Sequence, residues 1–501
     1  MKKITLSVLF ASLSMICFGQ TIEMKTNLVR WNDKYKIDNG TRYDYIGTIE
    51  EEDFYAFGYY TTTGFQARFN RLGFMKVKDG KVLLYNEDYI KIPRNSLEHV
   101  LTTETDIAVI YNNEDDDRDM YQLRCKKIDK NTLKEKTDNV LLEFEKRKNS
   151  EQSLMVIPSK NKGNYALLLF ASEKKSDKAS LRTFYFDRNF ELLWQHQYIT
   201  EQEKVIAPLN VLPNESGSIY VISKVMQEEF YNKKRRNDKE EEYTSFVIAK
   251  LSENNMEEHL IEGKFPCREA EMYEIKSNEI FIACGNRKQF SGITFDISQE
   301  NIINTSSFEY KLDKEETFWS ISQILPLKNE NLVVVVEDNY TLITTSTSVP
   351  TSYNYCGRNF YTLCVNPYNN NKPLYNQMVS RAIGNFSQWK SGGGQYEKPM
   401  FFTKGNDLYA IYNADIRDND YSGEVFTDVN IDVMRSARNV VTNMLHLNET
   451  GEAKIVSIFS YKDSDLLFSA NISHLRSDGI LQIGSIVKKV AVFGELNPNE
   501  N

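Results

Sequence analysis

Cysteine, proline and glycine are scarce in this sequence. Its 501 residues include 6 Cys, 11 Pro and 23 Gly, and this shortage of Pro and Gly argues against a largely disordered chain. No CxxC spacing occurs, which is unlike a disulfide framework or a zinc site. Cys356 and Cys364 lie in one extended segment, where they would be about 26 Å apart, too far for a disulfide. We therefore predict buried free thiols.

Other features are missing as well. No segment beyond the N-terminus has 18 consecutive apolar residues, so no transmembrane helix is predicted there. The net charge of −9 disfavours nucleic acid as a partner. The sequence lacks Gly-x-Ser-x-Gly, HExxH and Walker motifs, and Asp418–Gly423 lacks the distal Glu of a full calcium loop. We predict no cofactor and no metal site, and whether the protein is an enzyme stays open at this point.

The N-terminus has the pattern of a secretory signal peptide. Met1–Lys3 is basic, Ile4–Phe18 is apolar, and Gly19–Gln20 offers small and polar residues for cleavage. The apolar run is too short for a comfortable membrane span. Lipidation at Cys17 is an alternative, which the bulky residue before it disfavours. We predict a bacterial protein that is secreted or periplasmic, with residues 1–19 removed near Gly19 or Gln20.

The rest of the chain carries a hidden repeat. Apolar runs, each introduced by a polar turn, begin at residues 54, 107, 165, 219, 280, 332, 408 and 480. The runs are continuously apolar, which predicts strands that are covered on both faces. These apolar runs are the first mark of the repeat. The second mark is an apolar residue at the end of a strand followed by Asp, Asn or Ser, as in Ile128–Asn131 and Phe186–Asn189. We predict units of four antiparallel strands, a to d, in which the first mark opens strand b and the second closes strand c.

This pattern resembles that of the β-propeller superfamily, and the resemblance covers nearly the whole mature chain, residues 20–501. It implies an all-β fold, a single β-propeller domain of seven or eight four-stranded blades, and eight is the preferred number. The WD40, kelch and sialidase motifs are absent, so no family function is carried over. The last unit, Ile480–Ile486 with Val490–Leu496, lacks an outer strand. We expect Thr21–Trp31 to supply it, because pairing the two termini would close the ring and remove a free sheet edge.

Long insertions predict a binding face. In a propeller the b–c and d–a connections emerge on one face, and the long segments here are all of these two kinds, whereas the a–b and c–d turns stay short. The insertions are 227–242, 341–358, 379–395 and 413–438. From these segments and their flanks we select as partner-binding candidates Tyr353, Tyr355, Trp389, Tyr396, Asp418 and Asp420.

Polar and aromatic residues of the innermost strands form a second group of candidates. His99, His474, Arg268 and Trp319 fall where a propeller lines its central channel. Such a cluster could bind a small anion or a sugar, and the alternative is a solvated channel wall without a ligand.

Two functions follow from these features. The first is a non-catalytic binding or scaffold protein that uses the b–c and d–a face to hold an unknown protein or glycan. The second is an extracellular hydrolase or lyase that acts on a glycan or peptide at the mouth of the channel.

Overall fold

The computed structural model of the chain shows a β-propeller of eight blades. The residues that the structure describes are 22–24, 28–36, 42–49, 54–60, 69–86, 90–93, 97–115, 118, 120–145, 150–159, 164–173, 180–199, 205–214, 216–226, 243–267, 269–285, 289–309, 318–344, 352–369, 373–384, 398–415, 439–487 and 490–498.

Three short strands precede the first blade, and each later blade takes its strands in chain order. The N-terminal strands are β1 (Ile22–Met24), β2 (Arg30–Trp31) and β3 (Tyr35–Lys36). Blades 1 and 2 contain β4 (Arg42–Ile49), β5 (Phe54–Tyr60), β6 (Phe69–Lys78), β7 (Lys81–Tyr85) and β8 (Ile90–Pro93), then β9 (Leu97–Thr102), β10 (Asp106–Asp115), β11 (Met120–Asp129) and β12 (Glu135–Glu145). Blades 3 and 4 contain β13 (Ser150–Pro158), β14 (Asn164–Glu173), β15 (Ser180–Asp187) and β16 (Leu192–Ile199), then β17 (Val205–Pro213), β18 (Ile219–Met226), β19 (Tyr243–Leu251) and β20 (Met256–Pro266).

The second half of the ring repeats this arrangement. Blades 5 and 6 contain β21 (Glu269–Lys276), β22 (Glu279–Gly285), β23 (Gln289–Asp296) and β24 (Asn301–Glu309), then β25 (Phe318–Pro326), β26 (Leu332–Thr344), β27 (Ser352–Val365) and β28 (Tyr375–Gly384). Blades 7 and 8 contain β29 (Met400–Lys404), β30 (Asp407–Asp415), β31 (Val440–Leu447) and β32 (Ala453–Ser460), then β33 (His474–Leu475), β34 (Leu481–Val487) and β35 (Val490–Leu496). The four-residue helix α1 (Tyr461–Ser464) and a 3-10 turn (Ala470–Ile472) lie between blades 7 and 8. No helix of the described segments is long and apolar enough to cross a membrane.

Both repeat marks are confirmed. Every predicted b strand begins within one residue of its apolar run. The second mark predicts where strand c ends. Strands β11 and β15 end at the predicted turns, at Asp129 and Asp187. The sequence located these strands because strand b is apolar on both faces.

Buried apolar side chains hold consecutive blades together. In strand β26, Val333 and Val335 contact the cluster shared with blade 7, whereas Val334 and Val336 contact the cluster shared with blade 5. Successive strand residues point to opposite faces, so one apolar run serves two neighbours. Burying each such side chain stabilises the fold by about 1.5–3 kcal/mol. Eight clusters of this kind occur among the described residues, one at each junction of the ring.

The two ends of the chain close the ring at blade 8. Val492 and Leu496 of β35 pack toward blade 7, and Ala491 and Phe493 pack toward blade 1. This agrees with the alternation expected of a strand between two blades. Strands β2 and β3 pair with β35 in an antiparallel ladder and supply its missing outer neighbour.

The predicted extent of the closing strand, Thr21–Trp31, is wrong in part. Among the described residues of that range, Arg30–Trp31 is the part that pairs with β35, and Tyr35–Lys36 completes the ladder. Residues 30–36 already cover the outer edge of β35. Ile22–Met24 instead adds in parallel to β32, the outer strand of blade 7.

Two connections also differ from expectation. The c–d turn of blade 6 is not short, because nine residues separate β27 from β28. Its described part, 366–369, reaches blade 5, where Tyr368 OH donates to Glu279 Oε2 at 2.6 Å. The predicted insertions 341–358 and 379–395 are partly regular strand, since β26 and β27 remain paired as far as Thr344 and Ser352, and β28 continues to Gly384.

Candidate functional site

Among the described b strands, that of blade 6 is the longest, and it runs toward the face that carries the b–c and d–a connections. The b and c strands of blade 6 have 13 and 14 residues. The b strands of blades 5 and 7 have only 7 and 9 residues. At about 3.3 Å per residue, the blade 6 hairpin extends about 13 Å beyond strand b of blade 7 and about 20 Å beyond that of blade 5. The hairpin therefore offers an extended ladder above its neighbours.

Three predicted residues lie on blade 6. Tyr355 is paired with Thr341, and Tyr353 is paired with Ile343, near the far end of the hairpin. Tyr353 and Tyr355 are therefore two positions apart on strand β27. Trp319 lies on the inner strand of the same blade, opposite Asp338. The blade therefore brings together three of the ten candidates.

Five candidates lie outside the described residues: Arg268, Trp389, Tyr396, Asp418 and Asp420. All four predicted insertions also lie outside them in whole or in part, at 227–242, 345–351, 385–395 and 416–438. Their roles stay predictions.

The two candidate histidines occupy innermost strands, as predicted. Strands a of consecutive blades contact one another around the centre, for example β17 with β21 and β21 with β25. His99 lies on strand a of blade 2 opposite Ile110, and His474 lies on strand a of blade 8 opposite Gln482. Both side chains are partly exposed. Blade 1 separates their two blades, and a shared ligand stays a prediction.

A partly buried carboxyl on the channel wall was not selected from the sequence. Glu271 is two residues from the start of β21, at the end where the d–a and b–c connections emerge. Asn210 Nδ2, on the inner strand of blade 4, donates to Glu271 Oε2 at 2.9 Å. Burial raises the pKa of the Glu271 carboxyl to about 7, the hydrogen bond from Asn210 opposes this rise, and the charge of Glu269 adds to it.

A second amide–carboxyl contact lies further along the same strands. Asn214 Nδ2 donates to Glu274 Oε1 at 3.3 Å and to Tyr220 OH at 3.4 Å. Tyr220 OH in turn donates to the carbonyl of Ser277 at 3.1 Å, and burial raises the pKa of Tyr220 to about 12. One residue near this region was selected from the sequence, because Arg268 lies three residues before Glu271. The burial of a carboxyl cannot be deduced from one inner strand.

Blade 2 contains a cluster of charged side chains that pair with one another. Asp138 accepts hydrogen bonds from Tyr111 OH at 2.8 Å, from Arg124 Nε at 3.1 Å and from Lys126 Nζ at 2.8 Å. Burial alone would raise the pKa of Asp138, but the hydrogen bonds from Lys126 and Tyr111 hold it below its usual value. Such mutual pairing stabilises the blade and leaves little capacity for a ligand.

Blade 7 carries an aromatic row across its strands. The rings of Phe402 and Tyr409 stack at 5.2 Å, and those of Tyr409 and His446 stack at 4.6 Å. His446 Nε2 lies 2.8 Å from Asp407 Oδ2. The row lies near the a–b turn, at the opposite end of the blade from the long connections, and its stacking suits a structural role.

The described cysteines fit the prediction of buried thiols. Cys125, Cys267, Cys284 and Cys364 are buried, and none of these four forms a disulfide. Burial raises the pKa of Cys125 and that of Cys364 to about 12, which makes these thiols poor nucleophiles at neutral pH. Within the described ranges, no group of three or more His, Cys, Asp or Glu side chains is placed to hold a metal ion.

Comparisons with known proteins give similar folds only. No family model and no curated protein matches the sequence. Among solved structures, the Dos1 propeller is similar with a TM-score of 0.43 and 9% identity over 93% of this chain and 95% of that one. A variant of Synechocystis apocarotenoid oxygenase has a TM-score of 0.32 and 9% identity over 87% and 94%. Pyrococcus horikoshii acylaminoacyl peptidase has a TM-score of 0.30 and 8% identity over 77% and 57%. These similarities carry no functional argument, and the fold is established by the strand topology of the chain itself.

Proposed function

We propose that the chain is a secreted or periplasmic binding or scaffold protein that holds a protein or glycan on its b–c and d–a face. The observation that carries this proposal is the blade 6 hairpin, whose strands of 13 and 14 residues exceed those of both neighbours. A projecting ladder offers a large surface to a partner without disturbing the ring.

The residue types of the hairpin support the same proposal. Tyr353 and Tyr355 lie two positions apart near its far end. Tyrosine combines apolar area with a polar hydroxyl and loses little conformational entropy, and it is common in protein and glycan contacts. The N-terminal pattern supports export, because Met1–Lys3 and Ile4–Phe18 have the composition of a signal peptide.

The experiment uses the double variant Tyr353→Ala/Tyr355→Ala in the mature chain. Partners are first captured from cell-envelope extracts and on glycan arrays, and each candidate is then titrated against the purified protein. We expect the double variant to weaken binding about tenfold or more, as truncation of aromatic contacts at an interface does. The matched control is Leu192→Ala/Leu193→Ala on β16, where two exposed apolar side chains lie on the outer rim of blade 3.

The control should bind like the wild type. If the tyrosine variant and the wild type titrate identically with every confirmed partner, the hairpin is not the binding surface. If the rim variant loses binding instead, the partner is held at the outer rim.

A hydrolase or lyase acting on a glycan or peptide is the second candidate, and Glu271 is the observation that favours it. A carboxyl with a pKa of about 7 is suited to general acid catalysis at neutral pH. A screen of glycan and peptide substrates tests this role. Turnover that is lost in Glu271→Gln and kept in Glu104→Gln, an exposed carboxylate in a turn of blade 2, would favour the enzyme. No turnover with any substrate would favour the binding protein.

A further inference from the structure

The outer edge of blade 3 differs in charge from the edges of the blades beside it. Its outer strand, β16, contains no Lys, Arg, Asp or Glu, and in the described part of the chain β15 is the one strand paired with it. The outer strands of blades 2 and 4, β12 and β20, each contain several such residues. Charged side chains on an edge strand discourage pairing with another chain. Strand β16 lacks this protection.

The side chains of β16 divide between the core and the solvent. Trp194 and Tyr198 are buried in the cluster shared with blade 4. The positions that alternate with them point to the other face, and all four are exposed: Leu193, Gln195, Gln197 and Ile199. The strand is therefore fixed to the ring by one face, while the opposite face is accessible to a second molecule.

The order of residue types along β16 is the same in both directions. Leu193–Ile199 reads LWQHQYI, that is, apolar, aromatic, glutamine, histidine, glutamine, aromatic, apolar. An antiparallel neighbour runs in the reverse direction, so a second β16 paired with the first about His196 presents the same pattern to it. In this register Leu193 of each copy lies opposite Ile199 of the other, and Gln195 lies opposite Gln197.

We propose that β16 is a homodimer interface, in which two copies of the chain pair antiparallel through the outer edges of blade 3 with a two-fold axis at His196. The contact is isologous, because the same surface of both copies takes part in it. It joins two four-stranded blades into one continuous sheet, and the outward-pointing amide and carbonyl groups of each edge gain partners. A palindromic strand favours a second copy over an unrelated chain, because only a strand that pairs with itself needs such symmetry.

The side-chain pairs across the axis are compatible with one another. Leu193 and Ile199 are 53% and 51% exposed in the single chain, so their contact at each end of the ladder removes apolar area from water. Each glutamine amide can both donate and accept a hydrogen bond, so Gln195 and Gln197 suit each other at the centre. Arg182 lies opposite Gln197 on β15, and the two-fold axis places the two copies of this arginine in different rows of the sheet. No like charges are opposed across the edge.

Sedimentation equilibrium of the mature chain over a range of concentrations tests the pairing. The wild type should form dimers reversibly. Gln195→Lys/Gln197→Lys opposes lysines to lysines in the dimer, and Gln195→Glu/Gln197→Glu opposes carboxylates. Each variant should raise the dimer dissociation constant about tenfold or more. An equimolar mixture of the two variants should form a heterodimer at least as tight as the wild-type dimer, because each lysine then lies opposite a glutamate.

The matched control is Thr305→Lys/Ser307→Lys on β24. It introduces the same charges two positions apart on the outer strand of blade 5, where both side chains are exposed, and it should dimerise like the wild type. Recovery of dimers on mixing also shows that the charged variants are folded.

The dimer is separate from binding at the blade 6 hairpin. Leu192→Ala/Leu193→Ala should weaken dimerisation and still titrate a hairpin partner like the wild type, at concentrations where both proteins are monomeric. Failure of one proposal can thus be distinguished from failure of the other.

Four results would overturn the proposal. One is a wild type that is monomeric at every concentration, and another is a dimer that all variants form equally, since its contact would lie elsewhere. A third is a mixture of the two charged variants that stays monomeric, because the strands would then not pair about His196. The fourth is a monomeric wild type that captures another protein which Gln195→Lys/Gln197→Lys does not bind, because the edge would then accept an extended segment of that protein.

Discussion

Blade 7 packs against its two neighbours with different chemistry. Toward blade 6 the buried cluster is apolar, with Val335, Phe360 and Leu408 completely buried. The side-chain hydrogen bonds to blade 6 lie outside this cluster: Gln377 Nε2 donates to the carbonyl of Gly451 at 2.9 Å, and Thr403 Oγ1 donates to the carbonyl of Pro326 at 3.0 Å.

Toward blade 8 the apolar cluster is supplemented by buried polar groups. Asn413 Nδ2 donates to the carbonyl of Phe468 at 2.8 Å, and Thr442 Oγ1 donates to Asn413 Oδ1 at 2.8 Å.

The difference follows from the backbone of blade 8. Its inner strand β33 has only two residues, so the preceding residues, 466–473, lack a regular ladder. Ser485 Oγ accepts from the amide of Leu467 at 3.0 Å, and Ser473 Oγ accepts from the amide of Gly484 at 2.9 Å. Apolar packing is non-directional and suits a repeated unit, whereas these hydrogen bonds are satisfied in one arrangement only. We call the contact between blades 7 and 8 the closing junction and that between blades 6 and 7 the regular junction. The closing junction is therefore more specific than the regular one.

The largest effect is expected from removing the strand that completes the closing junction. Deleting residues 490–501 removes β35, including the buried Val492, Phe493 and Leu496. At about 1.5–3 kcal/mol for each such side chain, the loss approaches the whole stability of a typical domain. We therefore expect scanning calorimetry to show a large decrease in the melting temperature.

The matched control deletes only residues 499–501, because Pro498 is still buried. This shorter deletion should leave the melting temperature within about one degree. Equal and mild effects of both deletions would mean that β35 is peripheral and that the ring is closed elsewhere.

The regular part of the ring could be predicted from the sequence, because its signal is continuous apolar strands. The run from Leu332 to Val336 needs cover on both faces, and a strand between two blades provides it. The closing junction could not be predicted to the same depth. Serine, asparagine and glycine at positions such as Ser473 and Asn413 have no period, and their partners are distant in the chain.

The candidate site likewise contains residues that could be located from the sequence and residues that could not. The sequence placed His99 and Trp319 on inner strands because strand order follows from the repeat. It did not find Glu271, because its burial depends on two strands of neighbouring blades, β17 and β25. It also treated the far end of the blade 6 hairpin as a loop, since Thr341–Thr344 continues the ladder without a change of composition that would mark it.

A smaller effect should come from adding one methyl group inside the closing junction. The Cβ of Gly484→Ala would lie 2.3 Å from the backbone oxygen of Ile472. Because this oxygen belongs to the short 3-10 turn, it cannot move as a flexible side chain would, and we expect a loss of about 3 kcal/mol in the free energy of unfolding. Gly405→Ala is the control, with a φ of +63° and open space around its Cβ, and strain alone should cost it about 1–2 kcal/mol. If Gly484→Ala loses no more than Gly405→Ala, the junction is looser than its contacts indicate.

The smallest expected effect tests the buried hydrogen bonds of the closing junction directly. Asn413→Ala leaves Thr442 Oγ1 and the carbonyl of Phe468 without their partner in the interior, where Asn413 itself is fully buried. An unsatisfied buried polar group costs about 1–3 kcal/mol, so urea unfolding should report a loss of about 2 kcal/mol. The control Asn406→Ala removes an exposed contact to Glu449, and its loss should stay within about 0.5 kcal/mol. The variant Asn413→Leu restores the lost volume but not the hydrogen bonds, so it should be no more stable than Asn413→Ala. A leucine variant as stable as the wild type would show that apolar packing alone is sufficient to close the ring.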